Sequence, residues 1–479
     1  MKKTIFLYVT ILLVFGLGIY FTLDYGQSLS PPAGTAAMHV GLPDKAAVET
    51  AVGSSSLLSG IMANLQEPLT RLILQLIVIV VAARLMGRLA RRIGQPAVIG
   101  EMFAGILLGP SLLGSLFPDL FNFVFVSSSL GPLKLISQIG VCLFMFIVGL
   151  ELNAAQLRHQ AETAVVVSHA SIVVPFFLGV SAAVFLYTQL AGPGISFLAF
   201  ALFLGISMSI TAFPVLARIL MDRGMERTPL GTTSLACAAV DDATAWTILA
   251  FVVALARSTD LASSVVSLAL VVAYVLTMVY VIRPRLPRWL GVQPPSMTLG
   301  AGTLPAVLVF SFGSALATEV IGIHALFGAF LAGAIMPAQP KFRDHLTLRL
   351  ENFSATFLVP LFFAFTGLRT QIGLLNDAES WMFCVAIIFI ATIGKVGGGM
   401  LAARLTGLGW IDSFSLGALM NTRGLMELIV INIGYDLGIL SPRIFAMLVI
   451  MALVTTFMTA PLLGLAERAR HRFAPAPAR

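Results

Sequence analysis

About thirteen times after residue 67 the chain runs apolar for roughly twenty residues before a short polar or basic break, and this rhythm leaves few folds open. Such a run matches the thickness of a bilayer's hydrocarbon core, where only a helix or a closed barrel satisfies its own backbone. The runs fall at about 68–87, 98–116, 133–150, 163–189, 195–218, 229–256, 262–282, 299–319, 321–337, 354–373, 381–404, 413–435 and 442–466. With 58% hydrophobic and only 11% charged residues, the chain reads as an all-α polytopic membrane protein. Ahead of the first run, Lys2 and Lys3 precede an apolar stretch from Thr4 to Leu23, so residues 1–23 are an N-terminal anchor or signal segment. The stretch from Pro31 to Ala37 is a poor cleavage site, which favours a retained anchor. Residues 24–67 then form a flexible extracytoplasmic linker, and residues 467–479 a basic cytoplasmic tail.

The net charge of +7 suggests an acidic partner until the positions are read. Placing every second loop in the cytoplasm collects Arg84, Arg88, Arg91, Arg92, Arg158, Arg218, Arg223 and Arg227 on that side. Arg283, Arg285, Arg288, Lys341, Arg343, Arg349, Arg404 and the C-terminal arginines follow them. Only Lys45, Arg71, Lys134, Arg257, Arg369 and Arg443 fall opposite, so the bias orients the chain with both termini cytoplasmic. The basic charge is therefore a topology signal, with the lipid bilayer as partner and no nucleic acid. Cys142, Cys237 and Cys384 stand singly inside apolar runs, without metal-ligand spacing or a disulfide framework.

The chain also repeats. Gly100-Glu101-Met102-Phe103-Ala104-Gly105 in the second run matches Gly328-Ala329-Phe330-Leu331-Ala332-Gly333 in the ninth. Leu143-Phe144-Met145-Phe146-Ile147-Val148-Gly149-Leu150 in the third matches Leu361-Phe362-Phe363-Ala364-Phe365-Thr366-Gly367-Leu368 in the tenth. Two six-helix halves, 68–256 and 299–466, joined by a linking span at 262–282 would produce both matches. Corresponding runs face opposite ways by the loop charges, which makes this an inverted repeat within a transmembrane domain at 68–466. Chance likeness among glycine-rich apolar helices is the competing explanation.

Chemistry concentrates in a few polar residues at membrane depth. Asp241 and Asp242 sit side by side in an apolar run, where each carboxylate costs about 2.5–3.5 kcal/mol on insertion scales. Two like charges so close tend to share a proton near neutral pH, so a proton and a small cation are the natural ligands. Neighbours on a helix are separated by about 100°, so the two can face different surroundings. Lys395, between glycines and too deep to snorkel easily, is the natural partner for one of them; a satisfied ion pair without a transport role is the bland alternative. The fifth run of each half is interrupted, by Ser207 through Pro214 and by Leu419 through Gly424. Ser209, Pro214, Asn421, Thr422 and Arg423 mark these breaks, and paired breaks near the midplane can build an ion site. Arg423 and Glu427, four apart, can pair on one helix face, whether for transport or to neutralise a broken end. Glu101 and Glu151 lie near run ends and read as interfacial. His324 is a possible proton relay or a packing residue, and His169 is a weaker case.

Ser209-Ile210-Thr211-Ala212-Phe213-Pro214, Val240-Asp241-Asp242-Ala243-Thr244 and Asn421-Thr422-Arg423-Gly424-Leu425-Met426-Glu427 resemble the monovalent cation:proton antiporters of the Kef/NapA-type branch. The last motif is similar to that of CHX-like exchangers, and Val98 through Pro110 and Val148 through Glu151 fit the same group. The resemblance implies an NhaA-like fold with a rigid dimerisation domain, a mobile six-helix core and two unwound crossing helices. It implies a homodimer exchanging Na+ or K+ for H+ in a bacterial inner membrane, with no cofactor. It makes Asp242 the principal carboxylate for cation and proton, pairs Asp241 with Lys395, and sets Thr211 at the unwound crossing. Asp241 departs from relatives that carry Gln or Asn there, which leaves stoichiometry and ion preference open. The sequence ends at Arg479 without the cytosolic regulatory domain of many relatives, so gating by that route is not expected. A cation channel or cation sensor is the alternative function. A membrane protease is disfavoured, because adjacent aspartates on one helix cannot readily face each other across a substrate.

Overall fold

The computed structural model describes residues 2–29, 67–126, 129–151, 161–257, 261–290, 302–322, 324–337 and 339–473. The Pro31–Ala37 stretch, most of the expected linker, Lys45, Arg158 and Arg479 lie outside them.

The described chain is helical, with one isolated bridge between Ala191 and Leu440. Leaving aside the short helices Leu113–Leu116, Pro118–Val124 and Arg283–Trp289, the helices in order are α1 (Lys2–Gly26), α2 (Pro68–Arg92), α3 (Ala97–Leu108), α4 (Leu130–Glu151), α5 (Ala161–Leu190), α6 (Phe197–Ser207), α7 (Phe213–Asp222), α8 (Pro229–Arg257) and α9 (Leu261–Leu276). There follow α10 (Thr303–Ile321), α11 (Ala325–Ala334), α12 (Pro340–Phe353), α13 (Val359–Arg369), α14 (Ala378–Thr392), α15 (Gly398–Leu405), α16 (Trp410–Met420), α17 (Leu425–Asp436) and α18 (Pro442–Phe473). Among the described residues, ten helices are long and apolar enough to cross a membrane, or eleven if the bent pair α16–α17 is one span. The run expected at 195–218 is divided into α6 and α7, and the one expected at 321–337 forms only the ten-residue α11. Residues 467–473, read from the sequence as tail, continue α18.

Two bundles emerge from the packing. Helices α2, α3, α4, α10, α11, α12 and α13 form one; α5, α6, α7, α8, α14, α15, α16, α17 and α18 form the other. They meet chiefly along α13 with α17 and α3 with α18. The repeat seen in the sequence closes reciprocally. Helix α3 packs between α2 and α13, and its counterpart α11 packs between α10 and α4. The matched glycines are the contact points: a Cβ on Gly105 would lie 2.6 Å from Ala364 Cα, and one on Gly333 would lie 2.0 Å from Phe146 O. Each half therefore supplies the small-residue surface that the other half's backbone approaches, which chance likeness does not explain.

Local signals set the helix starts around the site. Ser196 caps α6 by accepting the Ala199 N–H at 3.3 Å, and Asp377 caps α14 through the Ser380 N–H at 3.0 Å. Pro214 is the second residue of α7, a position where the missing N–H costs no helix bond. Sequence reading treated Pro214 as the helix breaker. The break lies ahead of it, at Met208–Ala212, and the proline restarts the helix.

Candidate functional site

Two interrupted helices cross inside the second bundle. Helix α6 ends at Ser207 and α7 begins at Phe213; α16 ends at Met420 and α17 begins at Leu425, bent by 43°. The Ala212 N–H donates to Thr422 O at 2.9 Å, so the two buried segments satisfy each other across the crossing. Two helix C-termini, carrying partial negative charge, and two N-termini, carrying partial positive charge, thus meet in one buried region.

Helix α8 passes this crossing and delivers Asp241 and Asp242, both fully buried. Lys395 reaches them from a π-turn at Ile393–Gly397 between α14 and α15, also fully buried. Its ammonium donates to Asp241 Oδ2 at 3.0 Å, Thr211 Oγ1 at 2.7 Å and Ser171 Oγ at 3.2 Å, which uses all three protons. Asp241 Oδ1 accepts the Thr211 N–H at 3.2 Å. The Thr211 hydroxyl lies 2.9 Å from both Asp241 Oδ2 and Met420 O, and with one proton it serves one of these at a time. Asp241 is therefore held on both oxygens.

Asp242 is held differently. Neither of its oxygens completes a hydrogen bond among the described residues, although it faces the Phe213 amide at the start of α7. A helix N-terminus favours an anion, and a buried carboxylate without partners is a high-energy group unless something binds it. The adjacent positions thus divide as the 100° rotation allowed, one tied to Lys395 and the other open.

The second break carries a fixed cation. Arg423 donates to Ser207 O at 2.9 Å and Met208 O at 2.7 Å, across the crossing at the end of α6. Its guanidinium also lies 3.2 Å from Glu427, the ion pair expected from their spacing, though neither Glu427 oxygen completes a hydrogen bond among the described residues. The Arg423 N–H donates to Thr456 Oγ1 at 3.0 Å, and Asn421 Nδ2 donates to Thr455 O at 3.2 Å. Thr422 Oγ1 lies 3.4 Å from Thr459 Oγ1. Ser209 turns back to donate to Gly205 O at 2.6 Å, which spends its proton on the end of α6.

His324 stands elsewhere. It caps α11 through a 3.4 Å contact from the Leu326 N–H to Nδ1, beside Lys134, Arg369, Asn432 and Asp436. Sequence reading missed Ser171, Thr455, Thr456 and that polar group around Asp436. Ser171 and Thr456 are single hydroxyls in apolar helices, a signal too common to mark a site.

At the arginine-rich end, a cavity of about 310 Å³ opens between the bundles, lined by residues including Arg84, Arg91, Glu101, Pro214, Arg218 and Leu425. It reaches the first turn of α7, next to the residue that faces Asp242. At the opposite end, the cleft beside α17 holds about 30 Å³.

An inverted repeat with paired broken helices and buried carboxylates at their crossing is the architecture of a secondary transporter. A sodium/hydrogen exchanger transmembrane family model matches residues 76–464, and the chain belongs to that family. It is 44% identical to the Na+/H+ antiporter NhaS4 of Synechocystis sp. over 81% of this chain and 95% of that protein. It is 40% identical to cation/H+ antiporter 17 of Arabidopsis thaliana over 83% of this chain, yet spans 48% of that longer relative. Among solved structures, the sodium proton antiporter MjNhaP1 of Methanocaldococcus jannaschii shares the fold, with a TM-score of 0.57 at 12% identity, covering 84% of this chain and 98% of that one.

Proposed function

We propose that the chain is a secondary antiporter exchanging a monovalent cation, Na+ or K+, for protons by alternating access. The observation that carries this reading is Asp242, a buried carboxylate at a half-helix N-terminus whose oxygens are unpartnered while its neighbour is fully engaged. Cation and proton compete for Asp242. Loss of the proton creates the anion that binds the cation, and protonation expels it. An empty carboxylate is costly to carry past an apolar barrier, so only the loaded or protonated core crosses, and that cost couples the fluxes.

Asp241 and Lys395 set the charge count. If Asp241 or Lys395 changes protonation together with Asp242, two protons exchange per cation and transport moves charge. If only Asp242 titrates, exchange is electroneutral. Thr211 joins the ion pair to the crossing, and Arg423 with Glu427 neutralises the broken ends. The about 310 Å³ cavity supports access from the arginine-rich face, which the loop charges assign to the cytoplasm. The protein acts as a homodimer in the cell membrane, as the family resemblance implies.

Reconstitution with an internal pH dye, titrating sodium, potassium and lithium separately with and without an imposed voltage, tests this. Cation-dependent proton release is expected. Currents at channel rates without proton coupling would replace it with the channel reading.

A further inference from the structure

The two ends of the bundle interface differ in more than volume. At the arginine-rich end, Arg218 of α7 bonds to Asp222 at 3.1 Å and Arg223, just past α7, to Glu467 and Ala460 O, both at 3.1 Å, all within their own bundle; a long contact from Gln95 Nε2 to Phe457 O of α18, at 3.4 Å, crosses there. At the opposite end, side chains cross between bundles. Lys134 of α4 pairs with Asp436 of α17 at 3.1 Å. Arg369 of α13 pairs with the same Asp436, donates to Asn432 Oδ1 at 2.9 Å and lies 4.5 Å from the Tyr435 ring centroid. Asn432 in turn donates to Thr366 of α13 at 2.9 Å, and is itself buried.

We propose that Lys134, Arg369 and Thr366 on one bundle and Asn432 and Asp436 on the other form the latch that closes this end of the ion pathway. The proposal rests on the antiport reading above. A cation reaching Asp242 from this side requires the cleft beside Ile429 and Asn432 to widen from about 30 Å³ toward the size of its counterpart, and every one of these bonds spans the gap that must open. The two basic side chains also sit on the acidic oxygens that an arriving cation would meet first. Separation of the bundles therefore exposes Asp436 and Asn432 at the moment the pathway opens, which makes them positioning residues for entry or release. These pairs are partly exposed, with Asp436 at 26% side-chain accessibility, so the latch is weak enough to open in each cycle.

The test is a reversible lock in proteoliposomes. Lys134→Cys with Asp436→Cys is bridged by a short bis-methanethiosulfonate; Cys142, Cys237 and Cys384 are buried, which limits the background. Bridging should stop cation-driven proton flux, and reduction should restore it. A matched pair, Asp377→Cys with Arg443→Cys, lies at the same end but joins α14 to α18 within one bundle, and bridging it should leave the flux unchanged. Continued flux in the bridged Lys134/Asp436 pair overturns the latch, as does equal loss in the matched pair. As a second readout, Asp436→Asn should raise the labelling rate of Ile429→Cys by a charged thiol reagent about threefold, the population shift expected for loss of weak pairs. An unchanged rate counts against the latch. Absence of cation-driven flux in the unsubstituted protein would instead overturn the antiport reading, so the two failures are distinct.

Discussion

The two helix breaks occupy equivalent places in the two halves, yet they hold their charges differently. At the first, the Thr211 N–H meets a carboxylate of α8, Asp241. At the second, the Arg423 N–H meets a hydroxyl of α18, Thr456. Beside Asp241 stands Asp242, whose oxygens find no hydrogen bond among the described residues, whereas the carboxylate of the second crossing, Glu427, lies 3.2 Å from the guanidinium of Arg423, which is always charged. The repeat thus builds two crossings with the same backbone plan, one beside an aspartate pair tied to a lysine and one with a lone glutamate set against a guanidinium.

The strongest break in this comparison is Asp242→Asn. It should abolish cation-dependent proton flux in proteoliposomes while the purified protein keeps its wild-type elution volume, and retained exchange would remove Asp242 as carrier. Next comes Lys395→Met, which strands Asp241 in a dry interior. The loss of stability should be about 3–5 kcal/mol, and most of it should return in the double variant with Asp241→Asn, read as thermal unfolding in detergent. The single Asp241→Asn variant should change the charge moved per cation; an unaltered reversal potential would confine proton transport to Asp242.

The second crossing should respond differently. Thr456→Val removes the hydroxyl that accepts the Arg423 N–H, at a cost of about 1–3 kcal/mol, while cation-coupled flux persists. Loss of coupling at full stability would place exchange chemistry at both crossings. The smallest effect lies outside the crossings, at the α14 cap. The Ser380 side chain and amide, ahead of Arg443, hold the Asp377 carboxyl below the usual range. A folded value below the unfolded one stabilises above about pH 4, and the contribution fades as pH falls through that range. Asp377→Asn should therefore narrow the difference in melting temperature between neutral and acidic buffer.

Much of this protein was legible in the sequence because the bilayer forces legibility. Apolar length is fixed by hydrocarbon thickness, so the runs marked the helices, and buried charge is expensive enough that Asp241, Asp242, Lys395 and Arg423 stood out unaided. The matched glycines of the repeat were visible too, since close backbone approach tolerates no larger residue. Helix geometry alone did not say which aspartate is tied and which is open; the family resemblance supplied that assignment, and the pairing itself depends on the rotation of α8 against Thr211 and Lys395, set by packing. Nor could loop charges show that Arg369 and Lys134 converge on Asp436, more than 60 and 300 residues away along the chain. Local composition determined which segments enter the membrane and where charge is buried. Only the tertiary fold decided which polar groups meet, since in a dry interior each donor's partner is chosen by how distant helices pack.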